Sequence, residues 1–183
     1  MKKLLFIFAF FPLFVFSQEY SEVIKVPGKT SSQLYGSARE WFAESFKSAN
    51  DVLQLEDQIN GKLIGKGSTP ISVKYKSSFN TIPIILHATF TIKISVKDSV
   101  YKYEIGPIFI ESGGAHSLNE YKNASIPENA RQILIDQGGM KNPSDKLIKR
   151  TADFNAAIYE SSNTEFMKTI ESLKTKMKST DNW

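Results

Sequence analysis

The chain has 183 residues, no cysteine, and 23 Lys plus Arg against 19 Asp plus Glu. That length allows one domain or at most two small ones, and the missing cysteine excludes disulfides, thiolate metal sites and lipid attachment through a thiol. Six of the 13 phenylalanines fall in residues 1–17; without Lys2 and Lys3 of that leader the formal +4 becomes +2, with acids and bases interleaved, which argues against nucleic acid as a partner.

In chain order, the first expected element is a secretory signal peptide over residues 1–17. Lys2 and Lys3 form its positive start, Leu4 to Phe16 its apolar run, and Val15 and Ser17 are small enough for the −3 and −1 positions of a cleavage site. The run is shorter than the roughly 20 apolar residues a spanning helix needs. The mature chain is expected to begin at Gln18, to be periplasmic or secreted, and to keep no transmembrane anchor.

Residues 18–110 read as an α+β domain. Glu22 to Pro27 alternates as a strand ended by Pro27-Gly28. Thr30 precedes Gln33 at capping-box spacing, opening a helix whose inner stripe is Leu34, Ala38, Trp41, Phe42, Phe46 and Ala49. Asn50-Asp51 breaks that pattern. Val52, Leu53 and Leu55 open a strand, and Asn60-Gly61 turns it back into Lys62 to Gly67 as a hairpin. Ile71, Val73 and Tyr75 continue with period two, Ser77 to Pro83 reads as a loop, and Ala88, Phe90, Ile92, Ile94 and Val96 place five apolar groups on one strand face. Lys97-Asp98-Ser99 turns into Tyr101, Tyr103 and Ile105, with Gly106-Pro107 near the end of the sheet. One dry face and one wet face predict an antiparallel sheet backed by helices.

Residues 111–183 read as a loop followed by helices, part of the same globular unit. Periodicity lapses from Glu111 to Ala124. Ser125 stands three residues before Glu128 as the cap of a short helix carrying Ala130, Ile133 and Leu134, which Gly138-Gly139 ends. Ser144 caps a further helix with Leu147, Thr151, Phe154 and Ile158 inward. A second stripe, Phe166, Ile170, Leu173 and Met177, is turned by roughly 100° from the first, so Ser161-Ser162-Asn163-Thr164 is expected to bend or break the helix. Ser179 to Trp183 is expected to fray.

The strings EVIKVPGKTSSQLYGSAREWFAESF, DVLQLEDQINGKLIGKG and FTIKISVKDSVYKYEI, within about residues 19–110, carry Val26-Pro27-Gly28, Leu34-Tyr35, Trp41, Asp57, Gly61, Ile64-Gly65 and Lys97-Asp98 with Tyr101 in order. In these features the chain resembles a family of exported bacterial domains of unknown function with a TBP-like fold (domain of unknown function 4468). The resemblance implies a strand, a helix and a curved antiparallel sheet. It transfers no activity and no ligand residue.

Chemical motifs are sparse. His87 and His116 are the only histidines, and neither has an HxH or HExxH partner, so no metal or other cofactor is expected. Glu111 and Glu120 flank His116. With no cysteine and no GxSxG, a nucleophile would have to be a serine served by a histidine. Gly65-Lys66-Gly67-Ser68 lacks P-loop spacing and is followed by a strand, which points to a bulge or close backbone approach. Lys168, Lys174, Lys176 and Lys178 read as a solvated helix face favourable to the helix dipole. Tyr75, Tyr101 and Tyr103 either form an aromatic surface beside lysines or pack under the C-terminal helices. The 111–124 segment, with His116 and Tyr121, is long enough to be functional.

The expectation is a noncatalytic exported binding or structural module, not an enzyme, with Tyr75, Tyr101, Tyr103, His116 and Tyr121 as candidate binding residues and an envelope protein, peptide or glycan as partner. The alternative is a periplasmic or secreted hydrolase using a His116–carboxylate pair. Mass analysis of protein recovered from the envelope or medium should give an N-terminus at Gln18; a retained Met1 contradicts the export reading.

Overall fold

The computed structural model describes residues 19–46, 52–76 and 80–179; the expected signal segment, Ala49, the Asn50-Asp51 break and residues 180–183 of the tail lie outside these. The elements are β1 (Tyr20–Lys25), α1 (Ser31–Ser45), β2 (Leu53–Asp57), β3 (Lys62–Lys76), β4 (Thr81–Lys97), β5 (Val100–Glu111), β6 (Ala115–Ser117), α2 (Leu118–Ala124), α3 (Pro127–Asp136) and α4 (Asp145–Lys178). The fold is α+β: an antiparallel sheet in the order β1-β5-β4-β3-β2, with β6 paired to β5. Along the outer edge of β5, β1 pairs with Val100 to Ile105 and β6 with Phe109 to Glu111.

Local signals start α1 and the β2–β3 hairpin where expected, whereas β1 runs Tyr20–Lys25, two residues earlier than the expected Glu22 to Pro27. Thr30 Oγ1 accepts from Gln33 N at 3.2 Å while Thr30 N donates to Gln33 Oε1 at 2.9 Å, a complete capping box. Asn60-Gly61 closes the β2–β3 hairpin inside a loop of residues 58–61, because Asp57 pairs with Lys62. The Asp57 carboxylate accepts from Asn60 N at 3.0 Å, and Gly61 takes φ +62.

The core lies between one sheet face and the helices α1 and α4. Ala88, Phe90, Ile92, Ile94 and Val96 are all buried, as are Leu34, Ala38, Trp41 and Phe42 of α1 and Phe166, Ile170, Leu173 and Met177 of α4. Phe166 stands edge-on to Phe90 with ring centroids 5.0 Å apart and stacks on Tyr20 at 5.9 Å. Trp41 Nε1 donates to Ser172 Oγ at 2.8 Å, joining α1 to α4. The close approach expected at Gly65 and Gly67 is real: a Cβ on Gly65 would lie 2.5 Å from Phe42 Cε1, and one on Gly67 2.7 Å from Phe46 Cε1.

Several sequence expectations are corrected. The 77–83 loop is shorter, since β4 begins at Thr81 and Pro83 pairs with Lys74. Gly106-Pro107, a cis peptide, does not end the sheet. It coincides with a bulge that shifts the register between Phe90 and Ile92, so the buried parity passes from Tyr101, Tyr103 and Ile105 to Ile108 and Ile110. A period-two reading without that extra residue loses the strand. The 111–124 loop contracts to residues 112–114, followed by β6 and α2. Ser117 caps α2, whereas Ser125 bonds the Lys122 carbonyl and α3 starts on Pro127 with no side-chain cap.

The largest correction concerns α4, which is continuous through Ser161-Ser162-Asn163-Thr164. Ser162 Oγ donates to the Ile158 carbonyl at 2.7 Å and Thr164 Oγ1 to the Glu160 carbonyl at 2.9 Å, so these side chains are satisfied by the helix itself. The change of stripe needs no kink because two surfaces receive it. Ile148 and Ala152, not Leu147 and Thr151, pack on Ala130 and Leu134 of α3, while the residues from Ile158 onward face the main core. Among the C-terminal lysines, Lys176 pairs with Glu40 at 3.0 Å and Glu44 at 2.7 Å, and Lys174 with Glu22 at 2.9 Å.

Gly65→Ala should destabilise the protein by about 1–3 kcal/mol, as overpacking against a ring does, read as a fall of about 2–4 °C in Tm per kcal/mol. An unchanged Tm in a thermal melt would mean that Phe42 does not hold this position.

Candidate functional site

Tyr101 and Tyr103 do not form an exposed aromatic surface: they are 1% and 4% exposed and lie on the sheet face covered by α4. Their register explains this. Tyr101 pairs with Val96 and Tyr103 with Ile94, both on the dry face of β4. The Tyr103 hydroxyl donates to Glu22 Oε2 at 3.1 Å, whereas the Tyr101 hydroxyl is buried without a hydrogen-bond partner. Tyr75, half-buried on the same face, meets Phe154 of α4 edge-on at 5.0 Å, far along the sheet from the other two. The opposite sheet face carries lysines, serines and threonines together with the exposed Ile85, His87 and Phe109.

Burial raises these hydroxyls: Tyr20 is pushed up to about 12, and Tyr101, Tyr103 and Tyr121 shift in the same direction. A raised phenol stabilises the fold below its unfolded pKa of about 10, and that stability disappears as pH rises through the folded value. Circular dichroism should therefore be lost cooperatively between about pH 10 and 12, together with the appearance of tyrosinate absorbance. Tyr101→Phe should move that midpoint upward and leave stability at pH 7 unchanged or higher, because a buried unpaired hydroxyl is removed. Lower stability at pH 7 would contradict this placement.

His116 and Tyr121, by contrast, come together. The β5–β6 turn and the start of α2 place them on the wall of a cleft of about 350 Å³. Ser117 Oγ caps the Glu120 amide, and the Glu120 carboxylate reaches back to Ser117 N at 3.2 Å and Oγ at 2.9 Å. The same carboxylate holds His116 Nδ1 at 3.1 Å through Oε2. Glu120 lies below the usual carboxylate range, first because of the His116 bond and then those from Ser117. The Tyr121 ring stands edge-on to His116 at 6.1 Å, and burial raises its hydroxyl against an opposing bond with Ser112. Glu111, the other carboxylate considered, pairs with Ala115, while His116 pairs with Ile110.

The rest of the cleft was not foreseen. Asn123 and Asn129 come from the α2–α3 junction, Gln137 from the end of α3 and Asn155 from α4. Asn129 Nδ2 donates to the Asn123 carbonyl at 2.9 Å and Asn155 Nδ2 to the Thr151 carbonyl at 2.8 Å. Each amide is thereby anchored through one N–H, leaving its carbonyl oxygen as an acceptor. No local motif marks these residues, since three separate helices supply them. Among the described residues no group of three or more His, Asp or Glu converges, and the His116 ring is hydrogen-bonded to Glu120. The site can thus present acceptors and an imidazole–carboxylate pair to a polar ligand.

Residues 20–110 match the family described as a domain of unknown function (DUF4468) with TBP-like fold. A crystal structure of a DUF4468 family protein from Bacteroides ovatus ATCC 8483 aligns with a TM-score of 0.56 at 17% identity, covering 90% of this chain and 88% of that one. A TBP-like protein from Parabacteroides distasonis ATCC 8503 aligns with a TM-score of 0.47 at 10% identity, covering 85% and 91%. At such identity the first likeness is one of fold, and its coverage extends past residue 110 into the helices. Among curated proteins none matches this chain.

Proposed function

As the chain belongs through residues 20–110 to the DUF4468 family with TBP-like fold, we propose that it is an exported, noncatalytic binding module of the bacterial envelope whose cleft at His116 takes an uncharged glycan. Export is supported by the Lys, apolar and small-residue layout of residues 1–17. The glycan reading is carried by one observation: carboxamides from the α2–α3 region and α4 share a cleft with Tyr121 and with the His116–Glu120 pair. Carboxamides offer both donors and acceptors to vicinal hydroxyls, and the apolar flank of Ala124 and Ile133 suits the C–H face of a sugar ring. A peptide backbone is the competing occupant of the same acceptors.

The hydrolase reading keeps one supporting observation, the His116 Nδ1 to Glu120 Oε2 contact of 3.1 Å, which orients an imidazole as the partner of a catalytic base does. Against it stands the exposure of both side chains, 48% and 61%, and the absence among the described residues of a hydroxyl hydrogen-bonded to that ring.

Mature protein on an array of neutral oligosaccharides should retain at least one of them, and Asn129→Ala should weaken that binding by about tenfold, equivalent to about 1.4 kcal/mol. The bound saccharide should be recovered intact. Retention of peptides only would replace the glycan, and cleavage of the ligand that His116→Ala abolishes would replace binding by hydrolysis.

A further inference from the structure

A second cavity, of about 360 Å³, lies between the end of β3 and the first turns of α4, away from the His116 cleft. Its rim is cationic. Lys74 comes from β3, and Lys146, Lys149 and Arg150 from α4, where spacings of three and four residues put them on one helix face. Asp153 is the acid in this lining, and it is engaged by Lys149 at 3.1 Å. Among the described residues Lys74, Lys146 and Arg150 have no acidic partner. Asp145, the acid of the first turn, is drawn off to Arg131 at 3.0 Å.

The placement is unfavourable without a ligand. Three of the four cations stand in the first two turns of a 34-residue helix, and the positive pole of the dipole opposes Lys146, which lies in the first turn. Mutual repulsion adds to this. An anion seated among them reverses both effects, since it meets unpaired cations and the favourable end of the helix together. The floor has a different character: the Tyr75 and Phe154 rings, edge-on at 5.0 Å and 81°, with Ala157 beside them. A rim that selects charge over a floor that selects an aromatic face defines an amphiphilic ligand.

We infer that this groove is a binding site for a small aryl phosphate: the anionic head is held by Arg150 with Lys74 and Lys146, and the ring lies on Tyr75 and Phe154. Arg150 supplies a planar fork able to grip two phosphate oxygens, and the lysines supply point charges. This site is independent of the glycan reading and shares no residue with that cleft.

The test is isothermal titration of the full mature chain with phenyl phosphate, inorganic phosphate and phenol as separate probes. Phenyl phosphate should bind at least tenfold more tightly than either of the others and weaken as salt rises. The exposed pair Lys146→Gln with Arg150→Gln should abolish the advantage over phenol, and Phe154→Leu should bring phenyl phosphate down to the level of inorganic phosphate. Asn129→Ala should leave all three unchanged, which separates failure here from failure of the cleft. No binding of phenyl phosphate, equal binding of phosphate, or indifference to the Lys146 and Arg150 changes overturns the proposal. If Phe154→Leu fails to fold, quenching of tyrosine fluorescence by phenyl phosphate in the unmodified chain replaces it, and no quenching overturns the aromatic floor. Retention on vesicles of phosphatidylglycerol in phosphatidylcholine without phenyl phosphate binding would reassign the groove to a membrane surface.

Discussion

One sheet face must be kept dry, and the whole molecule is organised by that need. β4 alone sets six buried apolar side chains in line, from Leu86 to Val96, and the register passes the same demand to Leu63, Ile71 and Val73 on one side and to Tyr101, Tyr103 and Ile105 on the other. Full burial of each large aliphatic or aromatic side chain is favourable by about 1.5–3 kcal/mol. No single helix of ordinary length covers such a layer. α1 covers one part and the long α4 the rest, and the Trp41–Ser172 bond and the Lys176 ion pairs join the two helices at their exposed seam.

The length of α4 follows from serving two surfaces. Its C-terminal half closes the main core through Phe166, Ile170, Leu173 and Met177, and its N-terminal half packs on α3 through Ile148 and Ala152 while Phe154 meets Tyr75 of β3. That half of α4 lines both cavities. Asn155 is carried to the α2–α3 region, where it meets the carboxamides near His116, and Lys146, Lys149 and Arg150 are carried to the end of β3. The sites are therefore products of the covering helix and not of the strands that define the family match over residues 20–110.

The two cavities differ in chemistry. The first is lined by neutral donors and acceptors with one self-contained imidazole–carboxylate pair; the second has a net excess of unpaired cations above aromatic rings. Of the two readings the sequence leaves open for Tyr75, Tyr101 and Tyr103, a surface beside lysines or packing under the C-terminal helices, the fold divides the residues between them. Tyr101 and Tyr103 become core, while Tyr75 stays near its lysine and gains Phe154 as its partner.

Local chemistry was enough to determine much of this protein. The Thr30–Gln33 capping box, the alternation of β4, the turn at Asp98-Ser99, the Ser144 cap and the close approach at Gly65 and Gly67 each depend on neighbours a few residues apart or on side-chain volume at one position. Long-range partners decided the rest. Continuity of α4 required two receiving surfaces, the persistence of β5 required a bulge opposite β4, and α3 took Pro127 as its start although Ser125 offered a cap. His116 met Glu120, one of the two carboxylates the sequence offers, because both stand at a helix start inside the segment read as a loop; the carboxamides met them because α2, α3 and α4 converge. Periodicity records which side of an element is apolar, and only packing decides what that side touches.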